Sequence, residues 1–289
     1  MKLVRFTEQG RTRIGKVVHD RVIDLSAVPG VTASMRQLIA DLPRLRMALE
    51  EASGPDFALQ AVQLEAPIPD AQKFLGIGMN YRKHADEARQ AGIPIPDSQM
   101  WFNKQVSCIT GPFSPVVKPE VSDKMDYEIE LGVVIGQRCR HVDARDAAAV
   151  IAGYLIVNDV SARDWLQKSP TFTLGKSFDT HGPTGPWLTT ADEIPDPLKL
   201  EMKLYVNGEL RQHADSGDMI YDIYQQIAYL STVMTLEPGD MLATGTPSGI
   251  GAPTGRFLQP GDVMRLEIEG LGHLENPVVA EASPDQRRM

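Results

Sequence analysis

Cysteine is nearly absent from this 289-residue chain: only Cys108 and Cys139 occur, far apart and in no C-x-x-C. That excludes a zinc ribbon and a disulfide framework. No apolar run is long enough to span a bilayer, and the opening MKLVRFTEQGRTR has no apolar signal region, so the expectation is a soluble, cytoplasmic protein without membrane partners. A basic surplus is also missing. The formal net charge is −9 and the pI about 5.2, which argues against general affinity for nucleic acid. Arg44 with Arg46, and Arg287–Arg288, read as solvated surface. Neither H-E-x-x-H nor a Walker A motif occurs, so the usual zinc-protease and NTPase readings fall away. The G-x-G of GIGMN carries Tyr81 where a dinucleotide fingerprint needs its third glycine, and Thr246 occupies a position that a G-x-S-x-G elbow needs as glycine.

What is present begins with alternating short runs, KLVRF, RIGKVV and RVIDL, separated by turns at Glu8–Gly10 and His19–Asp20. A helix is expected from a Ser34 cap through MRQLIADLPRLRMALEEA, broken or bent at Pro43. These pieces form a small N-terminal α+β domain, residues 1–69. From residue 70 to 289 the texture changes to apolar strands punctuated by Gly and Pro, such as KFLGIGMNY, EIELGVVIG, GYLIVNDVS and KLEMKLYVNGEL. Helices are expected only at YRKHADEARQ, Asp143–Val150 and YDIYQQIAYLSTVM. Without regular βα alternation, neither a TIM barrel nor a doubly wound sheet fits, and the fold class is α+β, rich in β.

Four stretches carry chemistry. In MDYEIELGVVIG a strand would project Asp126, Glu128 and Glu130 to one face. Aligned carboxylates must be solvated, protonated, paired with cations or bound to metal. They form either a wet strand edge or part of a site for a hard cation such as Mg²⁺, Mn²⁺ or Ca²⁺, with Asp159 of YLIVNDVSARD as a third ligand. In NYRKHADEA, His84 and Glu87 are i and i+3 neighbours, either a chance surface pair or a base for water. Lys176 of TLGKSFDTHGPTGP either pairs with Asp179 or presents positive charge to an oxyanion. In LEPGDMLATGTPSGIG, Gly245, Thr246 and Gly249 offer backbone N–H groups and a hydroxyl to an anion.

Together and in order, KFLGIGMNYRKHADEA, MDYEIELGVVIG, GYLIVNDVSARDW, LGKSFDTHGPTGPWL, YVNGEL and LEPGDMLATGTPSGIG resemble the fumarylacetoacetate hydrolase family, in particular its bacterial members acting on 2,4-diketo-3-deoxy sugar acids. The resemblance implies a mixed β-roll or barrel-like catalytic domain, a homodimer, and a divalent metal, Mg²⁺ by expectation, on Glu128, Glu130 and Asp159. It implies His84 and Glu87 as a water-activating dyad, Lys176 as the catalytic lysine, which also contacts substrate, and Thr246 as a substrate contact. The implied activity is hydrolysis of a C–C bond in a 2,4-diketo acid, such as 2,4-diketo-3-deoxy-L-rhamnonate or L-fuconate, releasing pyruvate. Oxaloacetate decarboxylation or tautomerisation, or hydroxymuconate isomerisation, is the alternative on the same site. One departure is visible: many relatives carry Gln directly after the Trp of ARDW, whereas here Leu166 intervenes before Gln167.

Overall fold

The computed structural model describes residues 1–90, 92 and 94–282, so Arg287 and Arg288 lie outside the described residues. The three opening runs form the antiparallel strands Lys2–Glu8, Arg11–Val18 and Arg21–Asp24. They continue into a 12-stranded sheet, because Lys2 and Leu3 pair with Thr189 and Leu188 of the strand Gly182–Thr190. Beyond that strand the order runs through Ile151–Asn158, Ile129–Ile135, Met241–Ala243, Phe74–Gly78 and Met100–Lys104. The first 69 residues and the rest thus share one sheet, and their division into two domains stays a proposal.

The strand Ile129–Ile135 is central, hydrogen-bonded on one side to Ile151–Asn158 and on the other to Met241–Ala243. Its side chains divide by parity, as a pleat requires. Ile129, Leu131, Val133 and Ile135 face a second, five-stranded sheet, meeting Met202, Leu204, Met264, Leu266 and Leu274 in the main core. Val134 faces the other way, into a cluster with Leu38, Ile39, Leu42 and Leu49. Those residues belong to one helix, Met35–Glu51. Ser34 caps it, its hydroxyl accepting from Gln37 N–H at 3.3 Å.

Three expectations are corrected in detail. Pro43 does not break the helix, which runs unbroken for 17 residues; the apolar stripe from Met35 to Leu49 holds both halves on the sheet, and burying it outweighs the one hydrogen bond that proline removes. Asp143–Val150 yields only a 3₁₀ segment, Ala144–Val150. MDYEIELGVVIG is not one strand: Met125–Asp126 pairs with Ser161–Ala162, and the long strand begins only at Ile129. The other helices form at Arg82–Gln90 and at Ile223–Val233, where Asp222 and Gln225 make a capping box. No described helix is long and apolar enough to cross a membrane. Cys108 and Cys139 are free and buried.

Candidate active site

Glu128 stands one residue before the central strand, Glu130 is its second residue, and Asp159 follows the neighbouring strand. Register brings them together. Ile129 pairs with Asn158, Asp159 N–H donates to the Glu128 carbonyl at 2.9 Å, and Asn158 Oδ1 accepts from Glu128 N–H at 3.1 Å. One carboxylate oxygen from each of Glu128, Glu130 and Asp159 lies within 4.8 Å of the others. This is near the roughly 4 Å separating opposite oxygens on one ion with bonds of about 2.1 Å. All three are buried, at 4 %, 1 % and 0 % exposure, so the wet-edge reading does not hold.

Cations surround the carboxylates unevenly. Lys176 Nζ donates to Glu128 Oε2 at 2.6 Å and to Asp159 Oδ2 at 2.5 Å, rather than to Asp179. Buried Lys104 donates to Asp159 Oδ1 at 2.7 Å, to the Val160 carbonyl at 3.4 Å, and to the Lys176 carbonyl. Arg163 Nε donates to Asp126 Oδ2 at 2.8 Å, while its Nη2 makes a charge contact with Glu128 Oε1 at 2.6 Å, off the line of its N–H bonds. Asp126 accepts three further bonds, from the N–H groups of Tyr127, Gly251 and Ala252. It therefore holds Arg163 and the loop at Gly251 and offers no oxygen to the triad.

The balance explains the titration behaviour. Burial pushes Glu128 up, but the charges of Lys176 and Arg163 overcome it and hold the carboxyl at about 2. Burial also pushes Glu130 up, the neighbouring Asp159 and Glu128 push it further, and it ends well above the ordinary carboxylate range. Among the described residues Glu130 pairs directly with no cation; its Oε2 accepts only the Gly245 N–H, at 2.7 Å. Burial lowers Lys176, but Asp159 and Glu128 more than reverse this, so the ammonium stays charged. A buried carboxylate without a countercharge beside two other oxygen donors suits a hard divalent cation, which would balance Glu130.

A cavity of about 110 Å³ opens over this floor, with His84, Glu128, Glu130, Arg163, Lys176 and Thr246 in its wall. His84 and Glu87 sit on the helix Arg82–Gln90 as neighbours, but Nδ1 and Oε2 are 3.6 Å apart without a hydrogen bond, and Glu87 does not line the cavity. The Thr246 hydroxyl donates to the Ile129 carbonyl at 2.9 Å and accepts from Gln212 Nε2 at 2.9 Å. Gly245 adopts φ +100°, and a Cβ there would lie 2.7 Å from Asn80 Cβ, so glycine is needed to turn its N–H onto Glu130. That N–H therefore serves a protein carboxylate, and Gly249 is not in the cavity wall. Gln167 ends the short helix Arg163–Leu166, is exposed, and stays outside the cavity.

Sequence reasoning missed Lys104, Gln212 and Arg163. Arg163 had a signal, four residues after Asp159 in one polar cluster. Gln212 had none, because it arrives from the second sheet, where its Oε1 accepts from Ile129 N–H at 3.0 Å between the two glutamates.

A β-rich fold with a triad of buried acids is consistent with a metal-using enzyme, and comparison with known proteins supplies the family. Residues 73–279 match the model of the fumarylacetoacetate (FAA) hydrolase C-terminal family. The chain belongs to the fumarylacetoacetate hydrolase family. Among solved structures it is similar to maleylpyruvate hydrolase from Sphingobium sp. SYK-6 in complex with manganese (II) ion and pyruvate, at 36 % identity and TM-score 0.84, covering 98 % of this chain and 100 % of that one. It is likewise similar to fumarylacetoacetate hydrolase from psychrophilic Exiguobacterium antarcticum, at 35 % identity and TM-score 0.86, covering 97 % and 100 %. A 2-hydroxyhepta-2,4-diene-1,7-dioate isomerase from Mycobacterium marinum shares 32 % identity at TM-score 0.79, covering 98 % and 100 %. The relatives support a hydrolase, and the manganese-bound neighbour together with the acidic triad supports a divalent metal.

Proposed function

We propose that this protein is a divalent-metal-dependent hydrolase that cleaves the C3–C4 bond of a 2,4-diketo acid of the acylpyruvate type, releasing pyruvate and a second acid. The observation that carries the reading is the single cavity in which Glu128, Glu130, Lys176 and His84 meet, with Asp159 completing the acidic triad beneath it. Glu128, Glu130 and Asp159 would hold the metal, with Mg²⁺ or Mn²⁺ the fitting ions. When bound, the cation supplies Lewis-acid polarisation of the substrate's carboxylate and 2-oxo oxygens.

The remaining work falls to side chains. His84, with Glu87 beside it, takes a proton from water, whose oxygen bonds to C4. Lys176 commits two N–H groups to Glu128 and Asp159, and its third, which meets no acceptor among the described residues, would face the oxyanion that forms at C4. The C3–C4 bond then breaks with its electrons moving to C3, which takes up the proton that His84 removed from water and becomes the methyl group of pyruvate. Water's oxygen stays in the new carboxylate. Thr246 stands at the cavity wall as a substrate contact. The test is pyruvate release by the purified protein from acylpyruvates and 2,4-diketo-3-deoxy sugar acids with Mg²⁺ or Mn²⁺; no pyruvate from any of them would sink the reading.

A second reading keeps the site and drops the water: oxaloacetate decarboxylation or tautomerisation, or hydroxymuconate isomerisation. The 3.6 Å gap between His84 and Glu87 and the similarity to an isomerase favour it. Removing both side chains separates the two, because only hydrolysis needs an activated water.

A further inference from the structure

Above the charged floor, the cavity wall changes character. Met79, Met100, Leu166 and Phe172 are half-exposed around the opening, and Phe102 lies beneath them. Phe102 stands between the floor and the rim: Lys176 Nζ is 4.9 Å from its ring centre, and the Phe172 ring meets it edge-on at 6.3 Å.

Two glycines seat this wall. Gly76 pairs with Phe102 and Gly78 with Met100 across adjacent strands. A Cβ at Gly76 would lie 2.4 Å from Phe102 Cζ, and one at Gly78 2.4 Å from Met100 Cε. Both side chains therefore fold across the strand that carries the glycines. On the same face of their own strand, Lys104 follows at the next alternate position and turns under Asp159.

Among the described residues the polar groups that line the cavity gather in the floor, where His84 and the third N–H of Lys176 are assigned to water and to the oxyanion by the reading above. The cations are Arg163, held between Asp126 and Glu128, and Lys176, held between Glu128 and Asp159. The one hydroxyl, on Thr246, donates to the Ile129 carbonyl and accepts from Gln212. A second carboxylate on the substrate tail would find, among the described residues that line the cavity, no cation not already paired with the acids of the floor, and a hydroxylated tail would lose water hydrogen bonds against thioethers and rings.

We infer that this wall is a tail subsite selecting 2,4-diketo acids whose acyl group is short, uncharged and apolar, in preference to hydroxylated or carboxylated ones. The inference rests on the acylpyruvate reading above and narrows it. The cavity is small beside the roughly 300–1,000 Å³ of drug-sized sites, which sets the tail at a few carbons.

The experiment measures pyruvate release by the Mn²⁺-loaded enzyme from acetylpyruvate, pentanoylpyruvate, maleylpyruvate and a 2,4-diketo-3-deoxyhexonate. The expected result is a kcat/KM for the better alkyl substrate on the order of 100-fold above those for the carboxylated and hydroxylated ones. Pyruvate released as fast or faster from either polar-tailed substrate overturns the tail subsite while leaving the hydrolase standing. No pyruvate from all four overturns both. Gly78→Ala, whose Cβ would crowd the Met100 side chain and meet otherwise only the Met100 carbonyl at 3.9 Å, is expected to cut kcat/KM for pentanoylpyruvate several-fold more than for acetylpyruvate; equal loss on both overturns the assignment of Met100 to the tail. Met100→Ala supplies the opposite change, expected to shift the preference toward pentanoylpyruvate, and an unshifted ratio there counts against the subsite in the same way.

Discussion

Lys104 Nζ lies 2.7 Å from Asp159 Oδ1 and also donates to the Lys176 carbonyl, so one buried ammonium holds both the third acid of the triad and the backbone of the lysine across from it. Lys104 is 2 % exposed, and its third acceptor is the Val160 carbonyl. Removing it leaves Asp159 Oδ1 and two carbonyls without their donor, although Lys176 still pairs with Oδ2. Lys104→Met is expected to lower stability by about 1–3 kcal/mol and to weaken Mn²⁺ binding by about 10- to 100-fold. Urea unfolding and calorimetric metal titration measure the two; unchanged metal affinity would show that Asp159 does not depend on Lys104.

Glu128 and Asp126 both contact Arg163, yet they are expected to fail differently. Glu128→Ala removes an acid of the triad and should reduce metal-dependent turnover by more than about a hundredfold, together with metal affinity. Asp126→Ala leaves Arg163 with Glu128 alone and unpairs the N–H groups at Gly251 and Ala252, and the expected loss is about 10- to 100-fold, as for residues that orient a ligand. Equal losses in metal titration and turnover would contradict the division.

The proposed hydrolysis assigns water activation to His84 with Glu87. The double variant His84→Ala, Glu87→Ala is expected to lose hydrolysis by about 10²- to 10⁴-fold while retaining metal binding, which titration checks. Oxaloacetate decarboxylation surviving in the same variant would locate enolate chemistry on the acids and Lys176 alone. Hydrolysis persisting at the wild-type rate would remove both residues from the mechanism.

His181 offers a pH test away from turnover. Burial pushes it from 6.5 down to about 3, and its Nε2–H donates to the Val117 carbonyl at 3.0 Å. Because the folded value is depressed, the unfolded chain takes up the proton first as pH falls. The neutral ring's contribution is thus complete above pH 6.5 and is lost progressively toward pH 3. At two units below the unfolded value the loss is up to about 3 kcal/mol. His181→Gln is expected to flatten the acid side of a stability-versus-pH curve from urea melts; an unchanged slope would mean that other groups carry it.

The sequence made the carboxylates legible because they recur at alternate positions beside an apolar run, and that pattern allowed only a few outcomes. It left open whether they were wet. The register of Ile129 against Asn158 and of Gly132 against Ala243 decides this by burying the strand on both edges, and neither pairing is local enough to read from spacing. Pro43 misled for a related reason: its local cost is plain in the sequence, whereas the core that offsets it is assembled from distant strands. Lys104 and Gln212 were silent because each acts through partners at least 30 residues away in sequence, on Asp159 and Thr246.

The central claim is that water is added across a C–C bond at this metal-binding acidic site. The direct measurement is mass spectrometry of the products formed from acetylpyruvate in water labelled with heavy oxygen, with Mn²⁺ present and then removed by chelation. The account predicts one labelled oxygen in the released acetate, an equal yield of pyruvate, and no reaction without metal. Carbon dioxide or an isomerised product in place of labelled acetate, or undiminished turnover after chelation, would contradict it.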